Sequence, residues 1–218
     1  MIVVIQCAAS KRTDAGHLVT TSGKSVEFVG CPKMAPQGSD RVYARPDDFR
    51  EDGTPWRKVL QTYNESPGDN PHRLCHAFEL YKDKTYRRLV ECFNIENVFI
   101  LSAGWGLIRS DFLTPHYDIT FSSGVDAYKR RRKKDHYEDY RMLPQDTSDD
   151  VVFFGGRAYL PLFFSLTDAI RSRKIVFFNS KSAPPISGCA MRRFQKATRS
   201  TNWHYDCANA FIDGTIRI

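Results

Sequence analysis

The chain has 218 residues, of which 41% are hydrophobic and 13% aromatic, and it carries a formal net charge of +7. That length supports one ordinary domain with a substantial core, and that hydrophobicity argues against disorder. No apolar run approaches the roughly 20 residues that a membrane helix needs, and the excess of positive charge favours a polyanionic partner, nucleic acid first.

The first element is the β-branched run Ile2–Ile5, which ends at the small polar loop Cys7-Ala8-Ala9-Ser10-Lys11. It has no basic leader and is too short for a signal peptide, so it reads as a buried central strand. Residues 13–70 are rich in Gly, Pro, Asp and Ser. They read as an irregular insertion, with a strand at Val26–Val29 and a short helix near Trp56–Tyr63, that covers the site or is ordered by a partner. From His72 to Phe93, apolar residues keep helical spacing. Val98–Leu101, Val151–Phe154 and Ile175–Phe178 are continuously apolar and end at Ser102-Ala103-Gly104, Gly155-Gly156 and Asn179-Ser180. Helices are predicted over Ala158–Ile170 and Ala190–Thr198, and Phe211–Ile218 reads as a hairpin turning at Asp213-Gly214. The whole, residues 1–218, is expected to be a single α/β domain with a mainly parallel central sheet flanked by helices.

The cysteines Cys7, Cys31, Cys75, Cys92, Cys189 and Cys207 form no CxxC pair. They read as reduced thiols in a cytosolic protein. A zinc site sketched from His72, Cys75 and His76, or from His204 and Cys207, lacks a second half at a recognised spacing, so neither metal nor cofactor is expected.

Ligands of parallel α/β sheets sit beyond the carboxyl ends of the strands. Here that edge gathers Cys7, Ser10 and Lys11, then Ser102 to Gly106, then Gly155 to Tyr159, then Asn179. Gly104, Gly106, Gly155 and Gly156 either permit close backbone approach to a ligand or only turn the chain. The richest stretch is Leu101–Asp118, LSAGWGLIRSDFLTPHYD. Trp105, between two glycines, either stacks on a planar base, worth about 1–3 kcal/mol, or packs on the next helix. Asp111 and Asp118 flank Pro115-His116-Tyr117. A carboxylate there either steadies positive charge on a reacting sugar and orients water, or Asp111 caps a turn and Asp118 pairs with Lys11 or an arginine. His116 reads as structural. The run Lys129, Arg130, Arg131, Arg132, Lys133, Lys134 is either a solvated helix, with Arg131–Asp135 and Lys134–Glu138 pairs, or a phosphate-contacting arm. Lys11, Arg109, Arg192, Arg193 and Lys196 would extend the arm.

CAASK after the first strand, LYKDKTYRRL, ILSAGWGLIRSDFLTPHYD and FFGGRAYLPLF together resemble the YaaA-like superfamily. More closely they resemble its small relatives with a CSxxK loop, an LY helix, an LSAxxGLxxPDxxxxPYD block and an AGxxY strand–helix junction. The order holds from Cys7 to about Phe163. Ala8 and Ala9 replace small or polar residues, Ser110 stands where proline is usual, and His116 interrupts the Pro-Tyr-Asp string. The family is associated with DNA binding and protection against DNA damage, and some members look similar to base-excising enzymes. The resemblance therefore implies a DNA glycosylase for a modified base flipped from DNA, in a setting such as defence against phage. Asp111 or Asp118 would be catalytic, and Lys11 would bind phosphate or attack the sugar. Cys7, Ser10, Ser102, Gly104, Trp105, Tyr117, Gly155, Tyr159 and Asn179 would hold the nucleotide. A non-catalytic DNA-binding protein of stress or defence and an enzyme of free nucleotides are the competing expectations.

Overall fold

Four runs, each apolar on both faces, have to be central strands, and the computed structural model places them side by side. It describes residues 1–38, 40–132, 134–195 and 202–218. The strands are β1 (Ile2–Gln6), β2 (Ser25–Val29), β3 (Arg41–Ala44), β4 (Cys75–His76), β5 (Val98–Ser102), β6 (Gly106–Arg109), β7 (Leu113–Thr114), β8 (Tyr117–Asp118), β9 (Tyr140–Arg141), β10 (Val151–Phe154), β11 (Lys174–Phe178) and β12 (Ala190–Arg193). The helices are α1 (Trp56–Glu65), α2 (Ala77–Leu80), α3 (Thr85–Phe93), α4 (Leu160–Leu166) and α5 (Trp203–Ile212). The main sheet has the order β12-β11-β10-β1-β5-β6-β9, and every pairing in it is parallel except β5 with β6. Helices α3 and α5 pack on each other and on β1 and β10, which buries the strands fully. No helix of the described residues is long and apolar enough to cross a membrane.

Residues 13–70 hold more structure than their composition suggests. Strands β2 and β3 pair in parallel with each other, and β2 pairs with β8, making a second, three-stranded sheet. Phe28 and Trp56, from this region, meet edge to face and are buried in the common core.

Three elements depart from expectation. Of the helix expected over 72–93, Cys75–His76 is instead strand β4 and α2 starts only at Ala77; the helix is then broken after Leu80, where Tyr81 is extended, with φ −94° and ψ 140°. The loop after β1 takes the backbone groups that a continuing helix would need: Arg12 N–H donates to Leu80 O at 2.8 Å and Lys82 N–H to Ser10 O at 3.2 Å. This break turns Lys82 and Asp83 toward the carboxyl end of β1. Residues 190–193 form edge strand β12 in place of the start of a helix, and Lys196 lies outside the described residues. The expected terminal hairpin is replaced by α5, which ends at Asp213-Gly214.

Candidate functional site

Beyond the carboxyl ends of β1 and β10 lies a cleft of about 780 Å³, well within the range of small-molecule sites. Its walls come from Gln6 to Ser10, from Lys82 and Asp83, from Thr120 and Ser122, from Gly156 to Tyr159, and from Asn202, His204 and Tyr205. A groove of about 890 Å³ beside α4 is lined by Leu160, Pro161, Phe164, Pro184, Pro185 and Ile186, with Arg157 its one ionisable residue among those described. It offers no acid–base pair, so the chemistry is sought in the first cleft.

The cleft floor is a layer of hydroxyls and one amine. Cys7 Sγ lies 3.2 Å from Tyr159 Oη and accepts the Ala103 N–H at 3.4 Å. Ser102 Oγ donates to Tyr117 Oη at 2.8 Å, and Tyr117 Oη lies 2.8 Å from Tyr81 Oη. Burial holds the phenols of Tyr81, Tyr117 and Tyr159 protonated, well above the usual range. Lys11, only 6% exposed, sets its ammonium 4.2 Å from the Tyr117 ring centroid. Desolvation lowers its pKa, and the nearby Cys7, Asp118 and Glu27 only partly restore it.

One wall carries a hydrogen-bond relay whose direction can be assigned. Gly156 N–H donates to Gln6 Oε1 at 2.6 Å, so Gln6 must present its Nε2–H₂ to His204 Nε2, 3.3 Å away. That makes His204 Nε2 the acceptor and places the ring proton on Nδ1, a buried atom with no hydrogen-bond partner among the described residues. Burial pushes His204 down to about 4, so at neutral pH the ring is uncharged and keeps a donor in reserve. Asp83 is fixed by the Thr85 N–H on its Oδ1 at 2.9 Å and is the one carboxylate among the described residues lining the cleft.

The structure gathers Cys7, Ser10 and Tyr159 on the cleft surface, with Lys11, Ser102 and Tyr117 buried beneath. Other expected residues fall elsewhere. Trp105 is fully buried, 4.9 Å from Phe28 edge to face and stacked on Tyr140 at 6.5 Å, so it cannot reach a base. Gly106, at φ +89°, lets β6 approach Tyr140 so closely that a Cβ would sit 2.7 Å from the Tyr140 backbone. Gly104 likewise packs on Tyr117 and Ile119, and a Cβ on Gly155 would strike the Phe153 ring at 2.2 Å. These glycines serve packing.

Because β6 runs antiparallel to β5, Arg109 sits opposite Phe99 and Ser110 N–H bonds Val98 O. Asp111 is therefore at the far end of the sheet from Cys7 and Ser102, clasped by Arg109 at 2.9 and 2.8 Å. Asp118 stays on the site's side, in an ion pair with Lys129 at 3.0 Å. Asn179 is exposed and outside the cleft lining. Among the described residues of the basic run only Lys129 is helical, as the last residue of the 3-10 turn Ala127–Lys129. Lys129 is spent on Asp118 and Asp126, which hold its pKa above the ordinary lysine value. Arg131 is buried against Asp139. Arg130, Arg132 and Lys134 are exposed, and Lys133 lies outside the described residues.

No family model, curated protein or solved structure matches the chain. The site therefore rests on its own geometry. Lys82 and Asp83 were within the quoted LYKDKTYRRL string, but only the break in the helix reveals their part. His204 and Gln6 carry no motif. Exposed Lys82 and Arg157 line the cleft, and exposed Lys84 and Arg87 line an adjoining hollow that shares Lys82 and Asp83 with it; no motif in the sequence marks this grouping.

Proposed function

We propose that the protein is an enzyme that hydrolyses the N-glycosidic bond of a modified base flipped out of DNA into the cleft above β1 and β10. The observation that carries this reading is a nucleotide-sized cleft lined by one fixed carboxylate, Asp83, together with the neutral polar side chains of Ser10, Tyr159 and His204. In the proposed step the C1′–N bond breaks with its electron pair leaving on the base nitrogen, and the exposed Ser10 hydroxyl or Tyr159 donates a hydrogen bond to that base. Asp83 steadies the oxocarbenium-like sugar and takes a proton from the water whose oxygen bonds to C1′. Asp118, paired with Lys129, lies outside the cleft lining and takes no part in this step. Lys11 is too buried to serve as a surface phosphate contact. The YaaA-like resemblance and the charge of +7 support DNA as the polymer.

Incubation with plain and hypermodified DNA, followed by alkali, tests the reaction. Alkali-dependent breaks are expected in modified DNA, with Asp83→Asn lowering the rate at least 100-fold and Asp111→Asn leaving it within about two-fold. No base release from any DNA would overturn the reading. Breaks without alkali, with a borohydride-trapped adduct lost in Lys11→Met, would replace the carboxylate route with attack by the lysine.

A second reading, an enzyme of free nucleotides, is favoured by the internal use of Lys129 and Arg131, which leaves the basic run weaker than it reads. Salt dependence separates the two. Changing Lys82, Lys84 and Arg157 to glutamine is expected to reduce the slope of log K against log salt by roughly 0.9 per lost phosphate contact. An unchanged slope would favour the free nucleotide.

A further inference from the structure

The second sheet carries a cluster that the cleft chemistry does not use. His17 lies just before β2, Glu27 is within β2, and His116 immediately precedes β8. Two backbone contacts bring them together: Val26 N–H donates to Leu18 O at 2.8 Å, and His116 N–H donates to Gly16 O at 2.8 Å. Gly16 has no freedom to drift, since a Cβ there would fall 1.7 Å from His72 O. The β2–β8 register, Phe28 opposite Tyr117, then sets His116 beside Glu27.

Glu27 is 5% exposed. Its Oε1 accepts from His116 Nδ1 at 2.9 Å. Its Oε2 is buried with no hydrogen-bond partner among the described residues, 3.7 Å from His17 Nδ1 and 3.6 Å from Arg41 Nη1. One donor atom from each of His17, Glu27 and His116 lies within 4.8 Å of the others. Both imidazoles keep about a quarter of their surface in solvent, so the cluster is open on one side.

We propose that His17, Glu27 and His116 bind a divalent transition-metal ion of the zinc class. Two imidazole nitrogens and one carboxylate oxygen form a borderline donor set that suits zinc and its neighbours better than calcium or magnesium. Metal–ligand bonds of about 2.0–2.2 Å in a tetrahedron put donor atoms roughly 3.3 Å apart. His17 Nδ1 lies 3.7 Å from Glu27 Oε2 and His116 Nδ1 2.9 Å from Oε1, so small side-chain rotations reach that spacing, and any proton held between His116 and Glu27 is released as the ion binds. Three protein ligands and an open side leave room for water as the fourth. The ion would also satisfy the orphaned Oε2, whose burial without a partner is otherwise costly. Burial lowers the pKa of His17, which keeps its ring neutral and ready to ligate. Arg41, 58% exposed, can swing away from the carboxylate.

Metal-stripped full-length protein titrated with zinc, read by equilibrium dialysis with elemental analysis, tests the site. One zinc per chain is expected, with affinity at least 10-fold weaker in each of His17→Gln, Glu27→Gln and His116→Ala. Arg41→Ala should bind zinc as tightly or more tightly, because a competing cation is gone. Cobalt(II) should give a visible absorption band that His116→Ala loses. Far-UV circular dichroism checks that each variant is folded, and two ligand variants that fold suffice. No zinc above the dialysis buffer would overturn the proposal. So would one zinc per chain retained at full affinity in the folded ligand variants, which would place the metal on the cysteines.

Discussion

Arg131→Ala is expected to destabilise the protein by about 3–5 kcal/mol, the cost of breaking a buried pair from one side. Arg131 and Asp139 are 6% and 7% exposed. The guanidinium forks onto the carboxylate at 2.9 and 2.6 Å, donates to Ala103 O at 3.0 Å and lies 4.0 Å from the Tyr137 ring centroid. Truncation strands a carboxylate and a carbonyl in a site that water does not reach. Urea unfolding of the single variants and of Arg131→Ala/Asp139→Ala reads the effect, and the double variant should lose less than the two singles together. A loss below about 1 kcal/mol, accompanied by weaker DNA binding, would instead return Arg131 to the phosphate-contacting role that the run of six cations suggests.

Acidification from pH 6.5 to 4 is expected to cost about 3 kcal/mol of stability through His204 alone. The sign follows from the proton count. The folded ring titrates near 4 and the unfolded ring near 6.5, so between these values the unfolded chain holds more protons and stability falls as pH falls. The cause is burial, which Asp83 nearby only partly offsets. His17, also lowered by burial, contributes in the same direction. Glu27 behaves likewise at lower pH. Burial opposes its charge, but the bond from His116 and the charges of His116, His17 and Arg41 outweigh this and lower its pKa below 4.5. Comparing the wild type with His204→Gln isolates the first contribution. The variant keeps an amide for Gln6, and its denaturation midpoint should fall much less between pH 6.5 and 4. Parallel losses in the two proteins would show that His204 is already protonated in the fold.

The four central strands were legible because burial on both faces writes itself as an unbroken apolar run, whatever the neighbours are. The candidate cleft lies at the carboxyl ends of β1 and β10, the edge that a parallel sheet presents to ligands. The rest depended on partners far away in the chain. Asp213-Gly214 reads alike as a hairpin turn or a helix end, and Gly214 at φ +70° serves the second. The helical spacing over 72–93 is real, yet residues 10–12 claim the backbone groups of Leu80 and Lys82 and break it. Asp111 and Asp118 are seven residues apart in one motif, but the reversal at β6 sends Asp111 to the opposite edge. The charge of Arg131 is visible in the sequence, whereas its burial is set by Asp139 and Ala103. His17, Glu27 and His116 share no spacing, because the β2–β8 pairing and two backbone hydrogen bonds, Val26 to Leu18 and His116 to Gly16, assemble them.

The turn at Ser102–Gly106 is held from every side. Ser102 Oγ accepts the N–H groups of Gly104 and Trp105 at 3.2 and 3.0 Å. Arg131 takes Ala103 O, while Arg57, itself anchored on Asp47, takes Gly104 O and Trp105 O at 3.1 and 3.0 Å. Gly104 O thus depends on Arg57 of α1, in the region that reads as an insertion, while Trp105 O shares Arg57 with the Tyr140 N–H at 2.9 Å. The motif turn cannot settle until segments nearly fifty residues upstream and thirty downstream have docked. The contacts that hold it are non-local, 47 and 28 residues apart for Gly104 and Ala103, and contacts of that kind carry a high loop-closure cost in folding. Residues 13–70 are for the same reason not a removable decoration: excising them would remove the Arg57 guanidinium from the turn and leave Gly104 O without its donor, while Ala103 O keeps Arg131 and Trp105 O keeps the Tyr140 N–H.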